Sequence, residues 1–337
     1  MLKVPRRDSL KPSINAVHQQ NPIEAMTQQA IFTNFEHKHG SMLWGNQPIL
    51  LQHRLHQSPL FSRETLASLI ETYPREHYNI FSMGAKTNDT WYWRQGDFKG
   101  LSGEEVISAI SNGRLWLNLR KANVVDRRYG DMLDGMFEEL AGRIPGFSSL
   151  RHECGILISS PGAQVYYHVD LGGQMLFQIM GRKRLLFYPA AEPFITGESL
   201  ERTAISTLAV DVPYADWYDE YAKVYEFEPG QMVHWPLFAP HRVENHDSLN
   251  VSLTVEFSTS SMRRAQIINL ANGALRARFG WTPRSRAVTG PSFWAKAGMW
   301  AALRKTSWLK KTRAANAKIE FQLDRTVPGR ILDVTAA

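Results

Sequence analysis

Between residues 154 and 257 the chain breaks into eight short segments of alternating polar and apolar residues, and no other feature narrows the fold so far. CGILISS, QVYYHVD, MLFQIMG, RKRLLFYP, KVYEFEPG, QMVHWP, HRVEN and LNVSLTVEF each have a strand's length and a period of two, with Gly, Pro and polar breaks between them. Such a run points to a sandwich or jelly roll rather than to alternating β/α units. Helical patterns flank it. SRETLASLIETYP offers Ser62 as N-cap and Pro74 as a stop, and SGEEVISAISNG carries a Ser102–Glu105 capping box. RLWLNLR alternates like a strand, and GDMLDGMFEELAGRIPG predicts a helix bounded by Asp131 and Pro145. The fold expected is mainly β with flanking helices. A polar arm would cover residues 1–30, a helical and strand region 31–150, the jelly-roll core 151–260 and a helical region 261–337.

Composition excludes several classes. With 337 residues, 43% of them hydrophobic, the chain can bury a large core. No run of eighteen apolar residues occurs and the basic N-terminus lacks an apolar signal core, so neither membrane spanning nor secretion is expected. Cys154 is the single cysteine. It rules out an intramolecular disulfide and a thiolate-clustered zinc site, and it favours a reducing compartment such as the cytoplasm. The formal charge of +7 is uneven: residues 261–337 hold 15 Lys+Arg against 3 Asp+Glu. Solvated helix faces account for most such runs, and nucleic acid or an acidic partner for fewer.

The chemistry centres on YYHVDLGGQMLFQIMGRKR. On a strand, residues i and i+2 share a face, so His168 and Asp170 should converge while Val169 turns away. A second histidine is needed for a metal, and EPGQMVHWPLFAPHRVEN supplies His241, with His234 and His246 as competitors. Two imidazoles and one carboxylate leave open positions on an octahedral iron, as in non-haem Fe(II) oxygenases.

In these segments the chain resembles the JmjC and cupin-like 2-oxoglutarate oxygenases, most closely the branch of the asparaginyl hydroxylase that restrains hypoxia-inducible factor. The resemblance covers roughly residues 113–258. Its motifs are His168-x-Asp170, then Gly181-x-Lys183-Arg184 and LLFYP, the Pro229-Gly230-Gln231 turn, Trp235-Pro236 and His241. The resemblance implies a double-stranded β-helix with Fe(II) on His168, Asp170 and His241, 2-oxoglutarate and O2 as cosubstrates, and Lys183 on the distal carboxylate of 2-oxoglutarate. The family's tyrosine and threonine donors to that carboxylate are replaced here by Trp116 and Val165, so Tyr166, Asn118 or Thr254 are the expected substitutes. Gln174 stands where an asparagine is usual, and Asn250 and Thr254 lie on the polar face of the last strand.

The activity implied is hydroxylation of a protein or peptide side chain. The competing readings are a non-catalytic cupin-like module that regulates a partner and a metal-dependent cupin enzyme without 2-oxoglutarate. In the tail, Phe293, Ala297, Trp300, Leu303 and Ser307 form a stripe on a helix predicted over residues 292–318. The family's use of helices after the barrel implies a homodimer through it.

Overall fold

The structure is a computed structural model that describes residues 30–85, 93–206, 212–306 and 318–334. All eight segments form strands: β5 (Arg151–Ser159), β6 (Gln164–His168), β7 (Gly173–Met180), β8 (Lys183–Phe187), β9 (Lys223–Phe227), β10 (Gln231–Trp235), β11 (His241–Asn245) and β12 (Asn250–Ser258). They fall into two antiparallel sheets, ordered β10-β7-β12-β5 and β6-β11-β8-β9. In chain order the strands pass from one sheet to the other at almost every turn. That topology is the double-stranded β-helix, a jelly roll.

The larger sheet grows at both edges. β1 (Ile49–Gln52) pairs with β10, and β4 (Leu115–Leu119), β2 (Tyr78–Ser82) and β3 (Arg94–Asp97) extend it beyond β5. The region after the barrel is not wholly helical, because β13 (Phe321–Leu323) pairs parallel with β3 and β14 (Ile331–Asp333) closes that edge. Two three-residue strands are too short to show a period, and only their pairing partners reveal them.

Eight α-helices accompany the sheets among the described residues: α1 (Gly40–Leu43), α2 (Arg63–Glu71), α3 (Gly103–Asn112), α4 (Ala122–Val125), α5 (Arg127–Arg143), α6 (Gly197–Ser206), α7 (Ser260–Phe279) and α8 (Gly290–Leu303). Ser62 caps α2 and the Ser102–Glu105 box caps α3, as their sequences predict. α5 starts four residues before the expected Asp131, because Asp126 accepts from the Arg128 amide and caps the helix there. α8 ends at Leu303 and a turn follows, so the helix predicted over 292–318 stops early; residues 307–317, including Ser307 of its stripe, lie outside the described residues.

Strand alternation separates two interiors. On β12, Val251, Leu253, Val255 and Phe257 enter the main core with Met175 and Phe177 of β7, Ile156 and Ile158 of β5, and apolar faces of α2, α3 and α5. The alternate residues, Asn250, Ser252, Thr254 and Glu256, point to the space between the sheets. There Leu176, Leu185, Phe187, Val233, Trp235 and Val243 pack together. The polar face read from the last strand is therefore one wall of the barrel interior.

β7 and β8 join through Gly181, whose φ is +75° and whose position would drive a Cβ to 2.4 Å from the Leu249 carbonyl oxygen. Gly181→Ala should thus destabilise the protein by about 1–3 kcal/mol through backbone strain and the clash. Urea denaturation checks this, and a loss near zero would show that the turn relaxes freely.

Candidate metal centre and its cavity

His168 is the last residue of β6 and His241 the first of β11, and the two are direct cross-strand partners. Their rings lie 4.1 Å apart between centroids. Asp170 is not on the strand: it follows β6 in the connection to β7, so it reaches the histidines from a loop rather than by strand alternation. Its Oδ2 is 3.3 Å from His241 Nε2. One ligand atom from each of the three residues lies within 4.8 Å of the others, a spacing able to hold a metal ion.

Each imidazole is set by a nearby carbonyl. His168 Nδ1 is 2.7 Å from the Tyr166 oxygen and His241 Nδ1 is 3.0 Å from the Ala239 oxygen. With Nδ1–H donating to these oxygens, each Nε2 keeps its lone pair for the centre of the triad. Burial first, and the neighbouring His168 second, hold His241 well below the usual histidine value, so it is neutral and fit to ligate. Burial raises Asp170 above the ordinary carboxylate range, with His168 opposing it. A cation among the three would relieve that desolvation, so the donor set fits Fe(II).

The rejected histidines have other work. His234 is fully buried, with Nδ1 2.7 Å from the Gln174 oxygen and Nε2 accepting the Gly45 amide at 3.0 Å, and it stacks on Trp44. His246 pairs with Glu226 at the surface, and His152 stacks on Phe137.

The triad opens into a cavity of about 260 Å³. Of the residues proposed for cosubstrate binding, Trp116, Asn118, Gln174 and Thr254 line it. Asn118 Oδ1 is buried with no hydrogen-bond partner. Tyr166, Asn250 and Lys183 do not line it. The register between β11 and β6 slips between His241↔His168 and Val243↔Val165, a bulge that keeps Val165 and His168 on the cavity and diverts Tyr166. Tyr166 is buried instead against Met83 and Trp93, and its hydroxyl accepts the Gly84 amide at 3.0 Å. Asn250 is sealed in the barrel floor, where its Oδ1 accepts from Gln178 at 2.7 Å and its Nδ2 donates to the Ser248 oxygen.

Lys183 shares the inner face of β8 with the cavity residues Leu185 and Phe187, while Arg184 turns outward to Glu244. The lysine is 4% exposed, and its Nζ donates to Ser252 Oγ at 2.8 Å. It has no carboxylate partner among the described residues. Burial pushes this ammonium down to about 7. A buried ammonium with only a hydroxyl beside it is costly, and the carboxylate of a small acid would supply the missing anion.

Arg120, Lys121, Glu153 and Glu256 also line the cavity, and none of them stands out as a site residue in the sequence. Alternation along β4 reaches Arg120 from Trp116 and Asn118, but nothing local brings Glu153 of β5 to the same cavity. Desolvation, helped by Asp170 and Glu153, raises Glu256 to about 7, although the residue as a whole is exposed.

No protein-family model matches the chain. It is 33% identical over 86 residues to the tRNA wybutosine-synthesizing protein 5 of Danio rerio, a match spanning 23% of this chain and 25% of that protein. Among solved structures, it is similar to ycfD of E. coli, with a TM-score of 0.47 and 16% identity over 83% of this chain and 71% of that one. A structure of YcfD, a ribosomal oxygenase from Escherichia coli, in complex with cobalt and 2-oxoglutarate gives a TM-score of 0.44 and 18% identity over 82% of this chain and 68% of that one. None of these is named for the asparaginyl hydroxylase branch.

Two predictions follow from the site's geometry. His241→Ala should abolish tight binding of Co(II), used as a spectroscopic probe, whereas a His234→Phe variant that still folds should retain it. The reverse pattern would assign the ligand to His234. Lys183 generates a stability prediction. Between pH 7, its folded value, and 10.5, its unfolded value, the unfolded chain holds a proton that the folded one lacks, so stability climbs with pH and the cost is complete below 7. Lys183→Met should therefore stabilise the ligand-free protein by about 1–3 kcal/mol near neutrality and flatten that climb, as read by urea titrations at about pH 7 and 9.

Proposed function

We propose that the chain is an Fe(II)- and 2-oxoglutarate-dependent oxygenase that hydroxylates a protein or peptide side chain. The observation that carries this reading is the convergence of His168, Asp170 and His241 at a cavity, in a barrel that also buries the Lys183 ammonium with no carboxylate partner among the described residues. In the reading, iron would sit on the three ligands and 2-oxoglutarate would direct its distal carboxylate to Lys183. When bound, iron with 2-oxoglutarate and O2 supplies the oxidant, and the overall conversion yields succinate, CO2 and a hydroxylated product.

The chain's own residues supply geometry and dryness. The carbonyls of Tyr166 and Ala239 orient the imidazoles before any ligand arrives. Leu157, Val165, Leu176, Leu185, Phe187 and Trp235 wall the cavity and limit water near the reacting atoms. Ser252 holds the lysine, and Gln178 accepts from Ser252 at 2.7 Å, so the anchor is fixed by a chain of hydrogen bonds rooted in Asn250. With Trp116 and Val165 in place of two hydroxyl donors, the charge of Lys183 carries more of the anchoring, and Asn118 and Thr254 stand within the same cavity.

A side-chain substrate suits the cavity's size, which leaves room for a small dicarboxylate and one projecting group rather than for a second large ligand. A reducing, cytoplasmic setting suits the single buried thiol of Cys154. No helix among the described residues is long and apolar enough to cross a membrane.

Mixing the protein with Fe(II), 2-oxoglutarate and O2 should release succinate, and His168→Ala, Asp170→Ala and His241→Ala should each reduce the release to background. Lys183→Ala should weaken 2-oxoglutarate binding by about 1.5–3 kcal/mol, the worth of a hydrogen bond to a charged group, and leave Co(II) affinity nearly unchanged. Metal binding without succinate release from any peptide or buffer condition would favour the regulatory module instead. Unchanged 2-oxoglutarate affinity in Lys183→Ala would remove the lysine from the site.

A further inference from the structure

From Glu256 to Glu320 the sequence contains no Asp or Glu, yet thirteen Lys and Arg lie between them. The structure spends only part of this charge internally. Arg276 and Arg286 pair with the buried Glu201 of α6, at 3.2 and 2.6 Å. Lys296 donates to the Ser285 oxygen, and the Arg264 guanidinium covers the Phe293 and Trp294 rings at 5.4 and 5.8 Å. Arg263, Arg278, Arg284, Arg304 and Lys305 are exposed, and none is ion-paired to a described carboxylate.

The apolar stripe of α8 is already used. Phe293 and Trp300 are buried, and Trp300 packs with Ile205 of α6 and with Ala271 and Ala274 of α7. This corrects the expectation of a homodimer through that stripe: the chain's own helices cover it. What remains outward is aromatic as well as basic. Phe279 is 59% exposed, Trp281 70% and Trp294 63%.

These residues share a frame. Arg264 meets Phe293 and Trp294 near the start of both helices, and Ala271 and Ala274 meet Trp300 further along, so α7 and α8 run parallel. One further turn brings Arg278 and Phe279 to the same end as Arg304 and Lys305, with Trp281 just past the left-handed cap at Gly280. The other end of α7 abuts the metal site: Gln266 Nε2 donates to the Leu171 oxygen at 2.6 Å, one residue after Asp170.

We propose that the α7–α8 unit is a docking surface for a single-stranded nucleic acid that runs along it from the cavity mouth. Unpaired cations match a phosphate backbone, and exposed aromatic rings among them match unstacked bases, the pairing of chemistries that single strands require. A duplex would leave the rings without partners, and the apolar stripe of α8, with Phe293 and Trp300, is turned inward rather than offered to a membrane. The inference does not rest on the oxygenase reading.

The test is fluorescence anisotropy of the full chain with a fluorescein-labelled oligouridylate of about 20 nucleotides across a salt series. Wild type should bind, with log K falling linearly in log salt. The variant Arg278→Ala/Arg284→Ala/Arg304→Ala/Lys305→Ala should bind at least ~10-fold more weakly at 0.1 M salt, and its slope should be shallower by about 3. Trp281→Ala/Trp294→Ala should weaken binding while keeping the slope. Both variants alter exposed side chains, and unchanged circular dichroism and Co(II) binding would confirm their fold. No binding at low salt would overturn the proposal, as would either variant binding like wild type. Equal or tighter binding of duplex DNA, polyglutamate or phosphatidylglycerol vesicles would overturn it too.

Discussion

The site depends on one antiparallel pairing, that of β11 with β6. It sets His241 opposite His168 although 73 positions separate them in sequence. Because strand side chains alternate, a slip of one residue in this pair would turn one imidazole away from the cavity. The bulge beside the pair serves the same end, keeping Val165 on the cavity wall without displacing His168. Asp170 then needs only a short connection to complete the triad. The rest of the barrel can be seen as holding this register, with β8 on the other side of β11 supplying Lys183 along the same inner face.

The barrel was legible because its signals are local. Each of the eight core strands spans enough residues for a period of two to stand out, and Gly or Pro marks many of the breaks. The polar face of β12 and the outward turn of Arg184 followed from the same alternation. Features that depend on partners distant in sequence were hidden. Tyr166 obeys alternation on paper, but a bulge in the pairing moves it out of the site. Asn250 is polar on an inward face like Thr254, yet Gln178 claims its side chain. β13 and β14 have no readable pattern of their own and exist because β3 presents an edge. The stripe on α8 was read correctly as apolar, while its partners, α6 and α7, could be found only in three dimensions.

Two electrostatic designs coexist in one chain. Inside the barrel, charge is scarce and expensive: Lys183 is lowered, Asp170 is raised and His241 is kept neutral, all chiefly by burial. A bound cation would offset the desolvation of Asp170, and a bound carboxylate that of Lys183. Outside, along α7 and α8, charge of one sign is left unbalanced in water, where it is cheap and acts at a distance. The loop carrying Asp170 is where the two meet, through the hydrogen bond from Gln266.

In the proposed function His168, Asp170 and His241 would hold iron, and Lys183 would hold the distal carboxylate of the 2-oxoglutarate chelated to it. Anaerobic titration of the protein with Fe(II) followed by 2-oxoglutarate measures this most directly. A weak visible charge-transfer band should appear only when both are present, and Asp170→Ala should eliminate it. A protein that binds Fe(II) but develops no such band at saturating 2-oxoglutarate would contradict the proposed function.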